Sequence, residues 1–191
     1  MSAAHEARGD DTLVRWARAR LREGLGGPPE PHPPPAGWAS APAATFVTLR
    51  WRDDGRLQGC VGSLEPKRSL ADDVAHNVVA AALEDPRAEP LELGDVDRLS
   101  IEVSVLSPLE AVHFTSEAGA LASLRPGVDG VVLEWRGRRA TLLPLMWSRL
   151  PTAADLMTAL KRKAGLPAAF WSDDIRLWRY TVDLYEEEAP S

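Results

Sequence analysis

Several segments of this chain alternate polar and apolar residues at every second position, and tight turns join some of them into hairpins. Residues 45–51 alternate as a strand, Asp53-Asp54-Gly55 is a turn signal, and Leu57–Gly62 returns as the second strand. Leu99–Leu106 (LSIEVSVL) alternates cleanly, with Ile101, Val103 and Val105 on one face and Glu102, Ser104 and Leu106 on the other. Residues 127–135 and 139–143 flank the turn Arg136-Gly137-Arg138 as a second hairpin, which Pro144 closes. Residues 174–187 (DIRLWRYTVDLYEE) read as one last strand. Hairpins make neighbouring strands antiparallel, so the pattern excludes an all-parallel sheet wound with crossover helices.

Helical periodicity fills the gaps. Leu13, Trp16, Ala17, Leu21 and Leu25 recur near helical spacing, so a helix is predicted over 11–24, with Asp10 or Asp11 as N-cap. Ser69 caps a second helix running to about Glu84, whose stripe is Leu70, Val74, Asn77, Val78 and Ala81. Asp85-Pro86-Arg87 ends it, because the residue before proline disfavours the helical conformation. Thr152 opens a third helix through Leu156, Leu160 and Ala164, stopped at Gly165-Leu166-Pro167. Residues 28–43 (PPEPHPPPAGWASAPA) carry too many prolines for a regular element and read as an extended tether from the first helix to the sheet. The expected fold is α+β, a mostly antiparallel sheet flanked by helices. Residues 11–187 form the domain, 1–10 a disordered N-terminus and 188–191 a tail.

Composition removes some classes of function. A net charge of -6 and a pI near 5.3 leave no basic footprint for nucleic acid or for an anionic membrane surface. The longest apolar runs, such as 78–83, fall far short of the roughly 20 residues that span a bilayer. A single cysteine and no recognisable secretory segment point to the cytoplasm.

That cysteine, Cys60, lies between Gly59 and Val61-Gly62-Ser63. Alone, it supplies neither an intrachain disulfide nor the several thiolates of a structural zinc or iron–sulfur centre. It is either a small buried hydrophobe or a reactive thiol, and the flanking glycines allow close approach of backbone or ligand. A nucleophilic thiol needs a helix N-terminus, a cation or an imidazole nearby. Lys67, Arg68 and His76 are the sequence neighbours able to serve. Alternation puts Gln58, Cys60 and Gly62 on one face of the strand and Leu57, Gly59 and Val61 on the other. Glu102 and Glu65 are acid–base candidates, each with an ordinary alternative as a solvated or ion-paired charge. Asp85 and Arg87 are an anion-holding pair or a tie at the helix end. His5, His32, His76 and His113 show no metal-ligand spacing, and no phosphate loop, dinucleotide fingerprint or nucleophile elbow is present.

The order of motifs then matches a known family. Phe46-Val47-Thr48-Leu49, the segment from Leu57 to Ser63, Asn77 with Ala80-Ala81, Asp85-Pro86-Arg87 and Ile101-Glu102-Val103-Ser104-Val105-Leu106-Ser107 occur in sequence. Gly127-Val128-Asp129-Gly130-Val131, Leu143-Pro144 with Met146-Trp147, and Leu160 to Pro167 with Trp171 follow. Over about residues 11–187 the chain resembles the AMMECR domain family, the protein A component of AmmeMemoRadiSam sets. The resemblance implies a two-lobed α+β fold with a smaller second lobe. It also implies a cleft at the glycine–cysteine motif and, as partners, a Memo-type protein and a radical SAM protein in a shared modification pathway. It implies no defined cofactor or reaction. On it, Cys60, His76 and Glu102 are the catalytic candidates, and Gln58, Gly59, Gly62, Ser63, Asp85 and Arg87 the binding candidates. The alternative is a docking module for the same partners with Cys60 buried. The family's Leu-Arg-Gly-Cys-Ile-Gly reads Leu57-Gln58-Gly59-Cys60-Val61-Gly62 here, so a positive charge two residues from the thiol is missing. Ala88 and Leu145 depart from the family's phenylalanine and glutamine in the same way.

Overall fold

A computed structural model describes residues 11–31, 34 and 40–187. The expectations for 1–10 and 188–191, and those for His5, His32 and part of the proline-rich tether, lie outside the described residues. The chain divides into two compact units, one from the N-terminal part to Leu106 together with the segment from Asp183, the other from Ser107 to Val182.

In the first unit, α1 (Thr12–Gly24) buries Leu13, Val14, Trp16, Ala17 and Leu21, the periodic positions of the sequence. The described residues of the tether before β1 (Pro42–Trp51) hold no regular element. β1 begins three residues before the expected Thr45, because Pro42 and Ala43 pair with Ser69 and Arg68 of a two-residue strand, β3 (Arg68–Ser69). β2 (Leu57–Gly62) and β4 (Leu99–Leu106) flank β1 antiparallel, and β9 (Val182–Glu186) completes the order β2-β1-β4-β9. The helix α2 (Leu70–Leu83) is capped by Ser69 as the sequence predicts, its hydroxyl accepting from the Asp72 amide.

The sheet is two-sided. Val47, Leu49 and Trp51 of β1, with Leu99, Ile101 and Val103 of β4 and Tyr185 of β9, pack against α1 and α2 in one core. Each such fully buried side chain is worth roughly 1.5–3 kcal/mol before conformational entropy is charged against it. Thr48 of β1 lies in register with Cys60 and Glu102, so these three point to the face turned away from the helices. Two contacts fix α2 along the sheet. Near its start the buried Asp73 accepts from the Thr45 amide at 3.0 Å, the Thr45 hydroxyl at 2.7 Å and the Asn77 carboxamide at 3.1 Å. Near its end the Ala81 carbonyl reaches so close to Gly59 that a Cβ there would sit 2.0 Å from the oxygen.

The second unit is a four-stranded antiparallel sheet in the order β5-β8-β6-β7. Its strands are β5 (Glu110–Val112), β6 (Gly130–Trp135), β7 (Arg138–Leu142) and β8 (Arg176–Tyr180). A short helix, α3 (Glu117–Ala122), and α4 (Ala153–Lys163) complete the unit. Leu133, Leu142, Leu156, Met157, Leu160 and Leu177 form its core. The hairpin turn places Arg136 at φ 45° and Gly137 at φ 79°, both in the left-handed region that such two-residue loops require. Residues 127–129, expected in the strand, form a turn instead, because the Asp129 carboxylate accepts from the Arg125 amide and guanidinium.

The largest correction concerns 174–187. This stretch is two strands, β8 and β9, which belong to different sheets. At Thr181 between them the amide donates to Ser107 Oγ and the carbonyl accepts from the Ser107 amide. Alternation has the same period in both strands and does not reveal that the partner changes.

Candidate functional site

β2 is an edge strand of its sheet, and its outer edge is closed by one carboxylate. Asp85, just past the end of α2, accepts the Cys60 amide on Oδ2 at 2.8 Å. Because that amide points away from β1, Cys60 and Thr48 form a non-hydrogen-bonded pair, the type that brings side chains closer. The Thr48 hydroxyl accordingly lies 3.3 Å from Cys60 Sγ. Cys60 is partly exposed, so it is not fully buried.

Asp85 itself is buried, with a side chain 3% exposed, and it holds Arg87 through three donors. The Arg87 amide and Nε reach Oδ1 at 2.9 and 3.0 Å, and Nη2 reaches Oδ2 at 2.7 Å. The Arg87 guanidinium, aided by the Cys60 amide, holds the Asp85 carboxyl far below the usual carboxylate range. The same hydrogen bonds raise the Arg87 guanidinium above its ordinary value, with a smaller electrostatic contribution from Cys60. Asp85 Oδ2 therefore couples the backbone of Cys60 to the side chain of Arg87.

Across the sheet from Thr48 stands Glu102. Burial raises its carboxyl above the ordinary value, Glu186 of β9 adds to the effect, and Arg50 opposes it. The row Cys60–Thr48–Glu102 thus puts a thiol, a hydroxyl and a carboxyl with a raised pKa on one face.

The other candidates are less uniform. Gly59 and Gly62 are where the backbones crowd: a Cβ on Gly62 would lie 2.3 Å from the Thr45 carbonyl. Ser63 donates its amide to Thr45 O at 3.1 Å and its hydroxyl to Glu65 O at 3.0 Å, which shapes the loop after the motif. Lys67 pairs with Glu65 at 3.2 Å and Arg68 with Asp73 at 3.5 Å, so neither is the cation of the thiol. His76 is exposed on α2, the layer on the opposite face of the sheet from Cys60, and is not brought to the thiol. His113 is exposed in the second unit. Thr48 was not singled out in the sequence, although its place in register with Cys60 follows from the hairpin once the turn is recognised.

Gln58 requires a correction. Leu49 pairs with Gly59 and Arg50 with Leu57, so Gln58 is the extra residue of a β-bulge. The bulge turns its side chain into the core, where it is 0% exposed, and carries Leu57 to the other face. Its carboxamide accepts from Trp51 Nε1 at 3.0 Å and donates to the Glu89 carbonyl at 2.7 Å. Gln58 does not share the face of Cys60.

Comparison with known proteins agrees with this fold. The AMMECR1 family model matches residues 14–185. The chain belongs to the AMMECR1 family. A Thermotoga maritima protein of similar sequence is 37% identical over 145 residues, covering 75% of this chain and 78% of its own length. A Methanothermobacter thermautotrophicus protein is 32% identical over 182 residues, 93% of each chain. The crystal structure of uncharacterized protein PH0010 from Pyrococcus horikoshii superposes with a TM-score of 0.79 at 29% identity, covering 94% of this chain and 92% of that one. The α+β architecture expected of an AMMECR1 member is therefore the one this chain adopts. Among the described residues, no helix is long and apolar enough to cross a membrane.

Proposed function

We propose that this AMMECR1-family chain acts through Cys60 as a nucleophile, within an AmmeMemoRadiSam-type modification system that includes a Memo-type protein and a radical SAM protein. The observation that carries the reading is the partly exposed thiol, with the Thr48 hydroxyl 3.3 Å from its sulfur and Glu102 next in the same row. In the proposed step the sulfur bonds to an electrophilic carbon of the substrate. The leaving group departs with the electron pair of the broken bond and takes a proton from Glu102. The thiol's own proton passes to solvent, and the Thr48 hydroxyl donates to the anionic sulfur. A carboxyl whose proton is retained to higher pH than usual suits the donor role. His76 has no part in it.

The first test is alkylation of the folded protein. Iodoacetamide should label Cys60 without denaturant, and labelling that requires unfolding overturns the reading. In the reconstituted three-protein system, Cys60→Ala should abolish the modified product seen by mass spectrometry. Undiminished product would leave the chain a docking role only.

A further inference from the structure

We infer that Arg87 is an anion-recognition residue of the Cys60 site, and that the substrate carries a carboxylate next to the carbon the sulfur attacks. This inference rests on the proposal that Cys60 is reactive. It starts from a shared atom: Asp85 Oδ2 accepts from the Cys60 amide at 2.8 Å and from Arg87 Nη2 at 2.7 Å. One carboxylate oxygen therefore anchors both the nucleophile's backbone and the guanidinium.

Asp85 engages only the Nε and Nη2 edge of that guanidinium. Among the described residues Nη1 has no hydrogen-bond partner, and the Arg87 side chain is 61% exposed. The remaining donors are thus held in a fixed orientation and presented to solvent from the same carboxylate oxygen that holds the Cys60 amide. A guanidinium oriented by a buried carboxylate has lost little freedom still to be lost on binding, and its planar fork matches a carboxylate. Two of the other nearby cations are already paired. Lys67 and Arg68 are paired with Glu65 and Asp73. Arg50 shares the outer face with Glu102. Glu186 would repel an anion from the β9 side, leaving the Arg87 side as the favoured approach.

Two alkylating reagents that differ only in charge test the inference on the intact protein. Iodoacetate and iodoacetamide react alike: the S–C bond forms, the C–I bond breaks, iodide leaves with the electron pair, and the thiol proton goes to buffer. The ratio of their rates cancels the intrinsic reactivity of the thiol. Relative to N-acetylcysteine amide, the ratio at Cys60 should favour iodoacetate by roughly three- to fivefold, the scale of an exposed ion pair, and should fall as salt is added. Arg87→Gln should return the ratio to the free-thiol value, while Arg87→Lys keeps part of the preference. Because Arg87→Gln also leaves Asp85 unpaired, the Asp85→Asn/Arg87→Gln double variant, neutral at both positions, should give the free-thiol ratio as well. A native ratio equal to that of the free thiol, or a preference that survives in the double variant, overturns the inference and leaves the reactivity of Cys60 standing. Failure of both reagents to label the folded protein overturns the reactive-thiol reading and this inference with it.

Discussion

Gly59→Ala tests whether close contact between α2 and β2 is what positions Cys60. A Cβ at Gly59 would lie 2.0 Å from the Ala81 carbonyl oxygen and 3.1 Å from Asp85 Cβ. The obstacle is backbone at the last turn of a helix, so no rotamer change relieves it. The strand must retreat by about 1 Å for the oxygen contact to reach even 3.0 Å. Overpacking of this kind costs about 1–3 kcal/mol. The same movement stretches the Cys60 amide bond to Asp85, now 2.8 Å, beyond hydrogen-bonding range, and a bond to a charged acceptor is worth about 1.5–3 kcal/mol. Together these predict a loss of about 3–5 kcal/mol, a large part of the stability of an ordinary domain. Urea unfolding followed by circular dichroism measures it. Gly94→Ala is the control, since nothing lies within 4 Å of the added methyl group and the backbone there is not left-handed, so its stability should change by less than about 1 kcal/mol. A Gly59→Ala loss no larger than that of Gly94→Ala would refute the argument. So would a large loss with the alkylation rate of Cys60 unchanged, because the strand would then have moved without disturbing the thiol.

The two perturbed carboxyls should give opposite pH signatures. Asp85 is lowered in the folded protein by Arg87, so its stabilisation is full above the unfolded carboxyl value of about 3.9 and is lost as pH falls through the lower folded value. Asp85→Asn should destabilise by about 2 kcal/mol at neutral pH, discounted for the exposure of Arg87, and the gap to wild type should close in acid. A gap that stays constant or widens on acidification contradicts the pairing. Glu102 is raised by burial, so its contribution is full below the ordinary carboxyl value and is lost as pH rises through the folded value. Relative to wild type, Glu102→Gln should therefore gain unfolding midpoint as pH rises through the carboxyl range, and a pH-independent difference would sink the assignment.

Much of the site was legible because strand periodicity is strict. A two-residue period in Leu57–Gly62 puts Gln58, Cys60 and Gly62 on one face and Leu57, Gly59 and Val61 on the other. The pairing with β1 bears this out from Gly59 to Gly62, while the bulge at Gln58 exchanges the faces of Leu57 and Gln58. The capping of α2 by Ser69 and of α4 by Thr152 could be read because each hydroxyl precedes an apolar helical stripe and accepts a backbone amide three residues on. His76 misled for a related reason. Its sequence distance from Cys60 is short, but the stripe of Val74, Asn77, Val78 and Ala81 turns it to solvent on the opposite face of the sheet. β5 and α3 escaped notice because three and six residues are too few for a period to register.

The bulge at Gln58 bears most on how this chain differs from its family. Read by alternation alone, the exchange of arginine for glutamine removes a positive charge from the face of the thiol. With the bulge, position 58 points into the core, where the side chain is fully enclosed and must satisfy the Trp51 indole and the Glu89 carbonyl. A neutral carboxamide offers one acceptor and two donors, so it meets both demands without burying a charge. A guanidinium has no acceptor for the indole N–H, so in this backbone Gln58→Arg would orphan that donor and bury a cation rather than bring one to the sulfur. Arg87 is instead the cation tied to the motif, through a carboxylate 25 residues beyond Cys60. The cation tied to the Cys60 motif is therefore set by where α2 ends and by the loop that follows it, and not by the residue two places before the cysteine.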